Sequence, residues 1–224
     1  MIEPVTLKKE LDARRAQFLQ TADPARIAAY QRGVDQLVAA GVAARAVGTG
    51  HAAPDFTLPN ARGVPVTLSK LLAKGPVVLV FYRGGWCPYC NLQLRAYQRA
   101  LPELRALGAS LVAVSPEAPD KSLSTTEKNA LEFEVLSDVL GEAGRAYRLF
   151  FDLSDELKTL YAAGGNDLAQ WNADGQWHLP MPATYVIGTD GQVALAYVDA
   201  ESRNRLEPAE VVSALRALGP ARAA

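Results

Sequence analysis

Sulfur and imidazole are scarce in this chain: 224 residues hold two cysteines, two histidines and two methionines. Two cysteines close together in sequence are not the framework of a disulfide-stapled secreted domain. Two histidines, His51 and His178, offer few nitrogen ligands to a metal and show no zinc-knuckle spacing. Long apolar runs are missing too. None reaches the ~18 residues of a membrane span, and the charged start MIEPVTLKKELDARRAQF lacks the apolar core of a signal peptide, so the cytoplasm is the expected compartment. A formal net charge of −1 gives no electrostatic case for nucleic acid or an anionic membrane as partner. There is no internal repeat. What remains is a chain 49% hydrophobic, long enough for one sizeable domain with a well-filled core and appendages.

The chemistry concentrates between Gly75 and Leu104, GPVVLVFYRGGWCPYCNLQLRAYQRALPEL. Val77 to Phe81 form a β-branched apolar run that reads as a strand buried on both faces. Arg83-Gly84-Gly85 is a turn, sharp enough to want glycine, and it lacks the G-x-x-x-x-G-K pattern of a phosphate loop. Leu94, Tyr97, Leu101 and Leu104 then recur with helical spacing, and Pro102 inside that pattern is expected to kink or end the helix. Cys87 and Cys90 lie where the strand hands over to the helix. Unpaired backbone N–H groups and the macrodipole favour an anion there, and Pro88 suits the first turn. Moving a thiol from a pKa of ~8.5 to ~7 takes roughly 2 kcal/mol, within reach of a helix terminus. Arg83 and Arg95 add positive charge, and no Asp or Glu occurs between Val77 and Leu101. In a reducing compartment such a C-x-x-C is redox-active or metal-binding.

Before this stretch, residues 5–42 carry two amphipathic stripes, with Asp23-Pro24 as a helix start. They read as a helical hairpin, an accessory arm (1–46) packed on the main unit (47–220) or on a second copy of the chain. A β-hairpin flanks Asn60-Ala61-Arg62-Gly63. After it, Ala109–Ser115 reads as a buried strand, Pro119–Ala130 as a polar helix, Phe133–Leu136 as a strand, and Gly141–Leu149 as a short helix. A further helix follows Asp152-Leu153-Ser154 and runs through Tyr161. Ala162–Pro180, with Trp171 and Trp177, is a functional loop or a short hairpin. Met181-Pro182 enters a strand that pairs back across Thr189-Asp190-Gly191, and Glu207-Pro208 starts a last helix. The closing GPARAA reads as a frayed tail. Strand–helix alternation followed by a hairpin and a closing helix means an α/β fold, a mixed central sheet flanked by helices.

The element order, WCPYC on a strand-to-helix turn and Pro182 opening a later strand resemble the thioredoxin fold. The lead-in APDFTLPNARGVPVTL and the segment LVAVSPE are similar to the alkyl hydroperoxide reductase/thiol-specific antioxidant (AhpC/TSA) branch of that superfamily, the peroxiredoxins and their relatives, over about residues 51–218. The resemblance implies a cis Pro182 against the sulfurs, with the Met181 backbone free to pair with an extended partner. That family has a proline and a threonine seven and three residues before its peroxidatic cysteine. Aligned on Cys90, those places hold Arg83 and Cys87; aligned on Cys87, they hold Val80 and Gly84. The family's arginine near the later strand is replaced by the Pro182 neighbourhood. The chain thus resembles a peroxiredoxin-like body with a thioredoxin-type dithiol, its Cys-Pro-Tyr-Cys tetrad similar to glutaredoxin's.

The resemblance implies an antioxidant thiol oxidoreductase reducing hydroperoxides through Cys87 and Cys90, regenerated by a thioredoxin-, glutaredoxin- or glutathione-type donor. A protein-disulfide reductase using the same couple is the alternative, and zinc or iron–sulfur binding through the C-x-x-C is a second. No cofactor is implied for the redox readings, and analogy implies a homodimer. Family alignment makes Cys90 peroxidatic; helix-terminus physics favours the more exposed Cys87. The two assignments stand side by side. Around the pair, Trp86 reads as a packing lid, Tyr89 as an exposed spacer, and Arg83 as either an aid to the thiolate or a solvated turn residue. Thr184 reads as a strand residue and His178 as a loop polar residue. Trp171, Trp177 and Met181 form either a substrate rim or core packing.

Overall fold

The computed structural model describes residues 6–219. Residues 1–5 of the arm, and all of the closing tail after Gly219, lie outside them. The arm is helical: α1 (Leu7–Thr21), α2 (Pro24–Ala39) and one further turn, α3 (Val42–Arg45). Thr6 caps α1 by accepting from Lys9 N–H, and Asp23 caps α2 by accepting from Ala25 N–H, with Pro24 in the first turn. Only Leu7 and Leu11 of α1 are buried, and both enter the core of the main unit. Ion pairs add Glu10 to Arg99 at 2.6 Å and Arg32 to Glu156 at 2.5 Å. These pairs are solvent-exposed and contribute little. Arg99→Gln is expected to change unfolding free energy by less than about 1 kcal/mol in urea titration; a larger loss would mean the charges, not Leu7 and Leu11, hold the arm.

The main unit opens with a hairpin, β1 (Thr57–Pro59) against β2 (Pro65–Thr67), and a short helix α4 (Leu68–Leu72). Then come β3 (Val77–Phe81), α5 (Pro88–Ala106), β4 (Ser110–Ser115), α6 (Pro119–Lys128), β5 (Glu134–Ser137) and α7 (Glu142–Ala146). The last part holds β6 (Phe150–Asp152), α8 (Asp155–Ala163), α9 (Leu168–Trp171), β7 (His178–Pro180), β8 (Ala183–Ile187), β9 (Val193–Val198) and α10 (Pro208–Ala217). The sheet order is β5-β4-β3-β8-β9; β3, β4 and β5 run parallel, and β8 and β9 antiparallel to their neighbours.

Alternation along the strands splits the core in two. Val78, Val80 and Tyr82 point to one face, where they meet Leu94, Tyr97, Leu101 and Leu104 of α5, Val211 and Leu215 of α10, and Leu7 and Leu11. Val77, Leu79 and Phe81 point to the other, with Leu68 and Leu72 of α4, Tyr147, Tyr185 and Met181. Both faces of β3 are therefore covered, as its unbroken apolar run requires.

Four expectations need correcting. Helix α5 continues past Pro102 to Ala106, so the proline does not end it. Burying Leu101 and Leu104 to 2% and 0% exposure contributes about 1.5–3 kcal/mol each, which offsets the roughly 3 kcal/mol cost of the proline. The segment 162–180 is not one long loop. It holds α9 and then β7, which pairs antiparallel with β6, a strand without a clear sequence pattern. There is no cis peptide bond among the described residues, so Met181–Pro182 is trans. Nor is the Met181 backbone free: its N–H donates to Leu149 C=O at 2.9 Å, and its side chain, 1% exposed, belongs to the core and to no substrate rim.

Candidate active site

The two sulfurs sit at the carboxyl edge of β3, where the chain turns through Arg83–Trp86 into α5. Gly84 has φ +145°, and a Cβ there would lie 2.4 Å from Trp86 Nε1; a Cβ on Gly85 would lie 2.1 Å from Thr125 Oγ1. Glycine is required at both, at the first by backbone conformation and at both by the closeness of α6 or the indole. Cys87 is the N-cap of α5, and Pro88 its first residue. Asn91 fastens the turn: its Nδ2 donates to Gly85 C=O at 2.8 Å and to Cys87 C=O at 3.1 Å, while Asn129 Nδ2 donates to its Oδ1 at 2.8 Å.

Both cysteines are reduced and buried, Cys87 at 1% exposure and Cys90 at 0%. The expected exposure of Cys87 is thus absent, because its side chain joins the core cluster beneath the helix start. The electrostatics separate the two. Burial opposes a Cys90 thiolate, but the Cys87 S–H, Arg205 and Arg83, and the Arg83 backbone N–H together hold its pKa well below that of an ordinary thiol. The same shared proton, then burial and the Cys90 charge, push the Cys87 pKa up. These contacts favour a thiolate at Cys90 over one at Cys87.

Sequence reasoning missed two of the groups that create this field. Arg205, 8% exposed, places Nη2 3.6 Å from Cys90 Sγ. Its other amino group is fixed on Asn204 C=O at 2.7 Å and on Ser202 C=O. An arginine thus does face the reactive sulfur, contrary to the replacement expected near Pro182; it lies in an irregular loop with no periodicity to mark it. Glu117, fully buried, accepts from Gly85 N–H at 2.8 Å through Oε1 and from Tyr82 O–H at 3.3 Å through Oε2. Burial raises its pKa to about 7 against those hydrogen bonds, and the Cys90 charge adds to the rise. An acid does lie beside the dithiol, supplied by tertiary structure. A signal existed: Glu117 lies two residues past a buried parallel strand, at the carboxyl edge where α/β sheets place their sites.

Trp86 packs edge-on against Tyr161, ring centroids 5.4 Å apart. Arg83 lies over both rings, 5.0 Å and 5.4 Å from their centroids, and donates to Ser202 Oγ at 2.9 Å. It is no solvated turn residue. Tyr89 is buried, not an exposed spacer. These residues, with Cys87 and Pro88, line a cavity of about 410 Å³ whose outer wall is the arm. Met181 and Pro182 line a neighbouring pocket of about 50 Å³ that shares Tyr30, Val34, Arg83, Tyr161 and Ser202 with this cavity but neither cysteine. Thr184 is a buried residue of β8 whose Oγ1 accepts from Gln93 Nε2 at 3.3 Å. His178 is no loop residue. It is buried in β7, stacked on Phe150 and 3.3 Å from Asp174. His51 is exposed between α3 and β1. Among the described residues no three His, Cys, Asp or Glu side chains converge to hold a metal ion.

Residues 49–196 match the model of the AhpC/TSA family. The chain belongs to the AhpC/TSA family. Chloroplastic peroxiredoxin Q of Sedum lineare is 30% identical over 148 residues, 66% of this chain and 67% of that protein. A Mycobacterium tuberculosis protein named as a peroxiredoxin is 34% identical over 93 residues, 42% of this chain; the match spans 60% of that relative's length. The crystal structure of peroxidoxin BcpB from the same organism aligns with a TM-score of 0.61 at 25% identity, over 76% of this chain and 97% of that one. The mixed sheet and flanking helices are thus those of a thioredoxin-fold AhpC/TSA protein. The helices of the arm precede the matched region.

Proposed function

We propose that this AhpC/TSA protein is a thiol peroxidase in which Cys90 is the peroxidatic sulfur and Cys87 the resolving one. The observation that carries the reading is the convergence of the Cys87 S–H, the Arg83 N–H and the Arg205 guanidinium on Cys90 Sγ. A thiolate held this way attacks the terminal oxygen of a hydroperoxide. The O–O bond breaks, the alcohol or water leaves, and Cys90 becomes a sulfenic acid. Cys87, one helical turn away, condenses with it; water leaves and a Cys87–Cys90 disulfide forms. An external thiol returns the pair to the dithiol. Relatives named as peroxiredoxins support the same reading.

The alternative, Cys87 attacking a disulfide of a partner protein, needs a Cys87 thiolate. Burial and the hydrogen bond to Cys90 work against one. Rapid mixing of reduced protein with one equivalent of hydrogen peroxide, followed by Trp86-dependent fluorescence and thiol trapping, separates the readings. Both thiols should disappear at least about 100-fold faster than free cysteine does at the same pH. Loss at the rate of free cysteine would remove the peroxidase reading.

A further inference from the structure

The 410 Å³ cavity reaches Cys87 and not Cys90, and its lining is unusually rich in guanidinium groups. Arg14 and Arg26 come from the arm, Arg83 from the catalytic turn, Arg203 from the loop after β9; Glu201 is the one carboxylate in the wall. Arg203 is paired with Glu201. Arg14, Arg26 and Arg83 have no carboxylate partner among the described residues. Arg14 Nη1 donates only to Gln17 Oε1 at 2.8 Å, and Arg26 lies over the Tyr30 ring at 5.7 Å. The Nε atoms of Arg26 and Arg83 and the hydroxyl of Tyr89, all shielded from solvent, have no hydrogen-bond partner. Arg83 and Tyr89 are 7% and 9% exposed. Phe18, Tyr30, Trp86 and Tyr161 give the cavity an aromatic floor. Arg14 and Arg26 without a counter-charge, together with the unpaired Arg26 Nε, Arg83 Nε and Tyr89 hydroxyl around this space, call for an acceptor-rich anion.

We infer that this cavity is the docking site of the reductant, and that the reductant is a small thiol carrying carboxylate groups, of tripeptide size or less. The inference rests on the peroxidatic cycle proposed above and names its electron donor. Cys87 is the sulfur that lines the cavity. A bound thiolate R–S⁻ attacks Cys87 Sγ; the Cys87–Cys90 bond breaks and its electron pair leaves on Cys90. Cys90 is the better leaving group because Arg205 and the Arg83 N–H stabilise its thiolate, and a thiol of lower pKa leaves faster. A second R–S⁻ attacks the outer sulfur of the mixed disulfide and releases R–S–S–R. Cys87 takes a proton from solvent. Two thiols are oxidised by two electrons and the protein disulfide is reduced by two. Helices α1 and α2 form the outer wall, so a folded protein cannot bring its own surface sulfur to Cys87 while they are in place. The arm is thus the element that selects a small donor over a protein one.

The test starts from full-length protein oxidised with diamide, so it needs no peroxide and stands whether or not the peroxidase reading does. Single-turnover reduction of Cys87–Cys90 is timed with glutathione, with uncharged 2-mercaptoethanol, and with a bacterial thioredoxin. Glutathione should be the fastest per mole. In the double variant Arg14→Gln/Arg26→Gln, the ratio of the glutathione rate to the 2-mercaptoethanol rate should fall roughly tenfold; both positions are partly exposed on helices, and a far-UV spectrum and melting curve verify folding. Thioredoxin outpacing glutathione, or an unchanged rate ratio in a folded variant, would overturn the inference. Slow peroxide oxidation alongside normal glutathione selectivity would instead overturn the proposed peroxidase and leave the docking site standing.

Discussion

Cys90→Ser is expected to slow the reaction with hydrogen peroxide by more than about 10³-fold, because the thiol that remains, Cys87, is buried and lacks the Arg205 contact made to Cys90 Sγ. Cys87→Ser should behave differently. A serine hydroxyl can still donate to Cys90 Sγ, so the first oxidation should stay within about tenfold of wild type while turnover is lost. The product is a Cys90 sulfenic acid, trapped by dimedone and seen in the intact mass. The pH profile carries the same logic. A cysteine of ordinary pKa gains about eightfold in thiolate between pH 7 and pH 8. Cys90 is already ionised over that range, so the rate constant of the wild-type protein should be flat there. Dimedone labelling of Cys87 in the Cys90→Ser protein, at wild-type speed, would reverse the assignment of roles.

Glu117→Gln is expected to make the protein more stable at alkaline pH and to remove much of its pH dependence. The sign follows from the raised pKa, about 7 against 4.5 for the free group. Between those values the folded chain binds the proton more tightly than the unfolded chain, so stability falls as pH rises. The full penalty, about 3 kcal/mol, is present above pH 7. Glutamine keeps the acceptor for Gly85 N–H and carries no charge to desolvate. Urea unfolding of the reduced wild type at pH 5 and pH 8 should differ by about 2.5 kcal/mol from this group, and the variant should lose that difference. A variant with the same pH slope as wild type, or one less stable at pH 8, would show that the carboxylate is favourable where it sits.

These experiments depend on residues that the sequence marks unequally. Cys87, Cys90 and Pro88 are legible because strand, turn and helix start are local features, written in an apolar run, two glycines and a helical stripe within thirty residues. Asn91 hides inside that stripe as one polar residue among leucines. Glu117 lies two residues past the end of β4, and Arg205 in a loop 115 residues beyond Cys90.

The sequence by itself determined the order of the five central strands and of the helices around them, though not β6, α9 or β7, together with the position of the dithiol and the absence of an intervening acid between Val77 and Leu101, since each depends on periodicity or neighbour identity. Tertiary structure alone decided at which sulfur a thiolate is favoured. Helix-terminus physics favours Cys87, but Coulomb and hydrogen-bond energies fall off with distance in space and take no account of distance along the chain. Folding brings Arg205 and Arg83 to Cys90, sets Glu117 beside it and puts the arm across the cavity from Cys87. That arrangement favours a thiolate at Cys90 and leaves Cys87 lining the cavity.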